Sequence, residues 1–258
     1  MGPRDDGRRR FFRHSLGGMG VLLLAGCDRL GSTAWFPRLL NLGESLSRQA
    51  HKALLPRHSM AQEFTEADLS PHFRSNGTSN PDNPAYQELA RNGFRDWALQ
   101  VDGLVQTPTR FSLAQLRAMP ARTQITRHDC VEGWSAIGKW KGPNLARVLE
   151  AAHPLPEARF VVFHCADPME SGGRALYYES IDMEDAWHPQ TILAYELNDT
   201  PLPIANGAPV RLRVERQLGY KHAKYLMRIE LASRLDDIHG GKGGYWEDSN
   251  GYQWYAGI

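Results

Sequence analysis

The feature that most constrains this chain is a series of short apolar segments, each closed by a turn signal. Trp97-Ala98-Leu99-Gln100-Val101 alternates and ends at Asp102-Gly103, and Val210-Arg211-Leu212-Arg213-Val214 alternates strictly, as does part of Tyr225 to Leu231. A period of two marks a half-buried strand. Arg159 to Phe163 and Ile192 to Leu197 are apolar runs of strand length, the second closed by Asn198-Asp199. Asp102-Gly103 predicts a hairpin whose return strand begins at Leu104-Val105. Thr123 to Thr126 reads as a strand leading to Cys130. Helical signals are fewer. Ser112 can cap a short helix through Met119, stopped by Pro120. Lys141 to Asn144 opens a helix from Leu145 to Ala152, with Leu145, Val148 and Leu149 on one face. Many short strands with two or three short helices predict an α+β class with a β-rich core.

At 258 residues and 41% hydrophobic side chains, the chain can bury a large core. A net charge of +1, with Lys and Arg interspersed among acids, gives no sign of a nucleic-acid binder. The exception is the N-terminus. Arg8-Arg9-Arg10-Phe11-Phe12-Arg13 precedes an apolar stretch from Leu16 to Ala25. A bilayer span needs about 20 residues, so this stretch reads as an export signal. The Arg-Arg-x-Phe-Phe pattern resembles a twin-arginine signal, which carries folded proteins to the periplasm. Leu24-Ala25-Gly26-Cys27 resembles a lipobox, in which Cys27 would be acylated and would anchor the protein to a membrane. The chain therefore divides into a signal (1–27), a tether or peripheral segment (28–72) and one domain (73–258). Within that domain, residues 75–84 are dense in turn formers and read as a long loop.

Cys130 is the most informative single residue. It lies in Arg127-His128-Asp129-Cys130-Val131-Glu132-Gly133-Trp134-Ser135, in a chain with three cysteines. Three readings are open. A disulfide to Cys165 suits an oxidising compartment and would fit a periplasmic binding lipoprotein with no catalysis. A nucleophile would need a base such as His128. A metal ligand would need partners, because the chain lacks the closely spaced cysteines of a structural zinc site. A single thiolate suffices where a cofactor supplies the other ligands, as a pterin dithiolene does for molybdenum.

The segment from Arg127 to Trp134, followed by Trp140-Lys141-Gly142, resembles the cofactor-cysteine segment of the sulfite oxidase superfamily. More narrowly it is similar to the periplasmic methionine-sulfoxide reductase catalytic subunits. Three further blocks follow the same order: Phe73 to Gly77, Leu202 to Arg211, and Leu218 to Leu226. The resemblance implies a sulfite-oxidase-type molybdopterin-binding fold and a molybdenum–molybdopterin cofactor. It makes Cys130 the thiolate ligand of the metal. It assigns Asn76, Cys165 (where the relatives carry threonine), Asn206, Arg211, His222, Ala223 and Lys224 to the cofactor. Arg211 and Lys224 would hold its phosphate, helped by backbone N–H groups of the turn at His222 to Lys224. Trp134 and Tyr178 are candidates to line the pocket, Tyr178 as a donor to the oxo group. The chain lacks the C-x-G-N-R-R continuation of true sulfite oxidases, whose arginines bind an anion. Its expected substrate is therefore a neutral oxo compound, a sulfoxide or similar, small or protein-bound. The sequence has no C-x-x-C-H haem motif, and the resemblance implies a separate membrane haem subunit as electron donor.

Overall fold

The computed structural model describes residues 59–170 and 175–258, with Thr33, Trp35, Phe36, Leu42, Gly43, Leu46, Gln49 and Ala50. The twin-arginine pattern, the lipobox with Cys27 and most of the expected tether lie outside the described residues. The chain forms two compact units, Met1–Leu54 and Leu55–Ile258. No described helix is long and apolar enough to cross a membrane.

The second unit carries three sheets. The largest has five strands: β1 (Ala98–Gly103), β2 (Thr109–Ser112), β5 (Phe160–Pro168), β6 (Leu176–Asp182) and β11 (Leu226–Ala232), in the order β2-β1-β11-β5-β6. Four strands form the second: β3 (Ala121–Asp129), β4 (Ser135–Pro143), β8 (Glu196–Leu197) and β9 (Thr200–Pro201). The third pairs β7 (Ile192–Ala194) with β10 (Arg211–Arg213). The helices are short: α1 (Pro84–Arg91), α2 (Leu113–Ala118), α3 (Leu145–Ala152), α4 (Met183–Ala186) and α5 (Tyr245–Asn250).

Helix α3 forms where its apolar spacing predicts, and Leu145, Val148, Leu149 and Ala152 are fully buried, with the helix packed beside β1. Each large side chain buried in this way stabilises the fold by about 1.5–3 kcal/mol. Helix α2 starts at a reciprocal cap: Ser112 accepts from Gln115 N while the Gln115 side chain accepts from Ser112 N. The expected hairpin after Gly103 is shifted. Gly103 does turn, at φ +81°, but the antiparallel partner of β1 is β2. Leu104 N instead donates to Leu231 O, and Val105 bridges to Pro154. Residues 59–72 run against the body, with Phe64 N donating to Ile125 O and Ser70 N to Ile137 O.

Two local features prepare the site. The β3–β4 hairpin pairs Asp129 with Ser135, so residues 130–134 form its loop. Strand β5 carries a bulge: three residues separate His164 from Pro168, opposite the single residue between Tyr178 and Leu176 on β6. Such a bulge re-aims side chains.

Candidate active site

Cys130 occupies the first position of the hairpin loop. Its N–H donates to Trp134 O at 2.9 Å, and Gly133 N donates back to Cys130 O at 3.0 Å. Gly133 sits at φ +84°, a left-handed conformation that glycine adopts without penalty. Asp129 braces the loop by accepting from Ser135 Oγ at 2.6 Å and from Arg127 Nε.

The thiol faces a cavity with about 200 Å³ of water-accessible space. Five stretches of chain wall it: Asn76 to Thr78; Cys130 to Glu132; Asp167, Met169 and Tyr177; Gly219, Tyr220, His222 and Lys224; and Trp246 with Tyr252. Four residues expected at the site thus converge from distant segments: Asn76, Cys130, His222 and Lys224. Gly219 permits the tight approach of its turn, since a Cβ there would lie 2.5 Å from His128 Nε2.

The other expected residues stand elsewhere. Tyr178 does not line the cavity. Alternation along β6 turns it away from Tyr177; its hydroxyl donates to Asp248 and its ring stacks on His239 at 3.8 Å. Tyr177 faces the cavity instead. Trp134 is not in the wall either; its Nε1 donates to Glu132 at 2.9 Å and Arg74 lies over its ring. Cys165 is buried in the main apolar core. It and Cys130 are both free thiols, so the disulfide of the non-catalytic alternative does not form. Arg211 is fully buried behind the wall, donating to Asn206 O and His222 O and lying over Trp140. Asn206 ends a 3-10 turn before Gly207, and Ala223 is buried. Two of the three N–H groups of the expected backbone concavity are engaged internally: His222 N donates to Gly219 O and Ala223 N to Lys221 O.

Burial governs the electrostatics. It pushes the Cys130 thiol up, opposed by the backbone hydrogen bond at Glu132 and by the charge of Arg74, while the charge of Glu132 adds to the rise. It holds His222 and His128 far below the ordinary histidine range, with Arg213 adding to the effect, so both rings are neutral. It pushes Asp167 up to about 7 and Lys224 down to about 7.

A sequence profile described as an oxidoreductase molybdopterin binding domain matches residues 86–238, more than half of the chain. The chain belongs to this family. It is a molybdopterin-binding oxidoreductase. A putative protein-methionine-sulfoxide reductase subunit, YedZ1, of Azospira oryzae (strain ATCC BAA-33 / DSM 13638 / PS) is 34% identical over 250 residues, covering 97% of this chain and 87% of the relative. Among solved structures, the sulfane dehydrogenase SoxCD from Paracoccus pantotrophus is similar at 19% identity and a TM-score of 0.48, over 58% of this chain and 45% of that one.

The residues of this molybdopterin-binding oxidoreductase fit such a cofactor. Asn76 Oδ1, His222 Nδ1 and Asp167 Oδ1 line the cavity buried and without a hydrogen-bond partner, and Asn206 Nδ2 and Arg211 Nε are likewise unpartnered. Buried polar atoms are ordinarily satisfied, so such a group marks a place where a ligand binds. Arg211 and Lys224 are buried cations whose described partners are carbonyl oxygens and not carboxylates. Buried positive charge with no carboxylate in direct hydrogen bond suits an anionic ligand. Among the described residues no three His, Cys, Asp or Glu side chains converge on a point, so a metal at Cys130 would take its other ligands from the cofactor.

The remaining cavity residues were not assigned singly from the sequence. Glu132 and Val131 lie inside the cysteine motif and were in view. Trp246 and Tyr252 come from the aromatic C-terminal segment. Asp167 carries only a weak signal, one acid ending an apolar strand. Its direction depends on the β5 bulge, which no local pattern announces.

Proposed function

We propose that this enzyme is an exported reductase that removes oxygen from a sulfoxide or a similar neutral oxo compound, small or protein-bound. One observation carries the reading. The single thiol of the hairpin loop shares its cavity with Asn76, His222 and Lys224, three of the residues expected to hold the cofactor. When bound, the cofactor's molybdenum supplies two-electron oxygen-atom transfer. Cys130 would give the metal its protein thiolate, while Asn76, His222 and Lys224 would hold the organic part, with Arg211 bracing the wall behind them. Glu132 sits beside the thiol in the cavity wall. A carboxylate there disfavours an anionic substrate such as sulfite and tolerates a neutral oxo compound. Tyr177, Trp246 and Tyr252 add the aromatic surface that would exclude water around an apolar thioether.

The similar Azospira protein is named as a subunit of a methionine-sulfoxide reductase, and that name supports a sulfoxide substrate and a partner subunit here. The sequence carries no haem-attachment motif, so the proposed donor is a separate membrane haem protein. The signal at Arg8 to Phe12 supports export to the periplasm as a folded, loaded enzyme, and Cys27 offers a lipid anchor.

Full-length protein from a molybdenum-replete host tests the reading. Wild type is expected to carry near-stoichiometric molybdenum and to oxidise a reduced viologen dye with sulfoxides. Cys130→Ser is expected to lose that activity and the visible absorption of the metal–thiolate bond. A serine variant matching wild type in both measurements would remove Cys130 from the metal.

A further inference from the structure

Asp167 has a position that the roles above leave unexplained. It lines the cavity, is 4% exposed, and its Oδ1 is buried with no hydrogen-bond partner. A buried carboxylate oxygen left without a donor is costly, and the carboxyl's one recorded hydrogen bond is to backbone N–H. The β5 bulge turns it inward, between Cys165 in the apolar core and Pro168 back in register with Leu176.

The obvious partner is Lys224, yet that ammonium is already engaged. An ammonium has three donors. Lys224 Nζ donates to Asn76 O at 2.6 Å, Thr78 O at 2.5 Å and Ala205 O at 3.2 Å. Those bonds fasten the 76–78 loop to the 205 turn and leave no donor for Asp167. Asn76 Oδ1, a second acceptor on the same cavity, is also unpartnered. The cavity thus presents two buried acceptors together. A phosphate cannot satisfy them, because it offers oxygens of its own. A ligand rich in N–H groups can.

We propose that Asp167 recognises the N–H donor edge of the pterin ring system. The inference rests on the molybdopterin reading above. A pterin carries an exocyclic amino group beside a ring N–H, a pattern like the donor edge of guanine. A carboxylate can accept both in parallel, and such charge-assisted pairs are the stronger hydrogen bonds. The site then reads the cofactor by charge. Lys224 and Arg211, whose described bonds go to carbonyl oxygens, offer the phosphate their charge, and the carboxylate serves the nitrogen-rich ring.

The test compares full-length wild type, Asp167→Asn and Asp167→Ala from a molybdenum-replete host. Pterin per chain is read by fluorescence of its oxidised derivative, and molybdenum by elemental analysis. The thermal midpoint is also measured on the same chains made in a host unable to synthesise the cofactor. Both variants are expected to retain at least tenfold less pterin than wild type after gel filtration. The cofactor-free midpoint of Asp167→Asn is expected to equal or exceed that of wild type, because burial disfavours the charged carboxyl that is replaced. Wild-type pterin content in both variants would overturn the proposal. So would a fall in the cofactor-free midpoint that accounts for the lost pterin, which would make Asp167 a structural partner. Wild type devoid of pterin would sink the molybdopterin reading and this inference with it.

Discussion

Replacing Lys221 with methionine is the sharpest test of how the cavity wall is held. Lys221 is fully buried and donates to Glu179 Oε1 at 2.5 Å and to Glu247 Oε1 at 2.9 Å, both also fully buried. Glu179 belongs to β6, Lys221 to the turn Gly219–Lys221 and Glu247 to α5. Each of these elements contributes a cavity residue: Tyr177, Tyr220 and Trp246 respectively. Methionine fills similar space without the charge and strands two carboxyls in a dry interior. Removing one partner of a buried ion pair costs about 3–5 kcal/mol. At about 2–4 °C per kcal/mol for a domain of this size, the midpoint should fall by about 6–20 °C.

The loss depends on pH, and its sign follows from Glu179. Burial raises its carboxyl well above the ordinary 4.5, with Lys221 pulling it down and Glu247 pushing it up. The folded state therefore holds a proton that the unfolded chain releases, and stability falls as pH rises above about 4.5. Without Lys221 the downward pull vanishes and the window widens. The variant should lie nearest wild type at pH 5 and farthest at pH 8. Urea denaturation at both values, on preparations matched for molybdenum, reads this directly. Adding Glu179→Gln and Glu247→Gln to the methionine variant should restore most of the loss and flatten the pH dependence. A loss under 1 kcal/mol at pH 8, or one equal at both pH values, would refute the argument.

Two further outcomes separate alternatives within the site and the chain. Tyr177→Phe should lower sulfoxide turnover, because Tyr177 faces the cavity with its hydroxyl held on Tyr220 O at 2.5 Å, whereas Tyr178→Phe should leave turnover near wild type. Steady-state assays with the viologen dye decide, and the reverse pattern would return the role to Tyr178. Replacing Arg8 and Arg9 together by lysine should retain the loaded enzyme in the cytoplasm, as read by fractionation; unchanged periplasmic activity would reject the twin-arginine route.

Some elements were legible because one local rule decides them. The apolar spacing of Leu145, Val148 and Leu149 defines α3, and Ser112 caps α2. Others carried a rule that the loop-like composition masked. Asn83 followed by Pro84 is a strong helix start, and Asn83 Oδ1 does accept from Ala85 N and Tyr86 N. Strand β4 has little β-branched character, and its pairing with β3 across nine residue pairs makes it a strand. Strand β10 alternates, yet both its faces are buried: Arg211 and Arg213 are fully enclosed and lie over Trp140 at 5.1 and 4.4 Å. Alternation reports periodicity and not exposure, so these arginines could not be told from surface cations. At the site, Cys130, Asn76, His222 and Lys224 were legible from motifs. The choice between Tyr177 and Tyr178, and the direction of Asp167, turned on strand parity and a bulge set by tertiary pairing.

The distribution of buried charge ties fold to cofactor. Arg213 is matched by Glu215 at 2.6 Å, and Lys221 by Glu179 and Glu247. Arg211 and Lys224 have hydrogen bonds only to carbonyl oxygens, and the nearby acids Glu215 and Asp167 act on them without a recorded bond. The unbalanced pair stands in and behind the wall of the cavity that Cys130 enters, while the balanced groups brace its outer elements. A phosphate of about two negative charges would complete the balance from within. The cofactor then acts as part of the core, and a ligand that binds only the folded form adds about 2.7 kcal/mol of stability at a hundred times its dissociation constant. A protein whose charge balance closes on a bound ligand gains by acquiring it while folding.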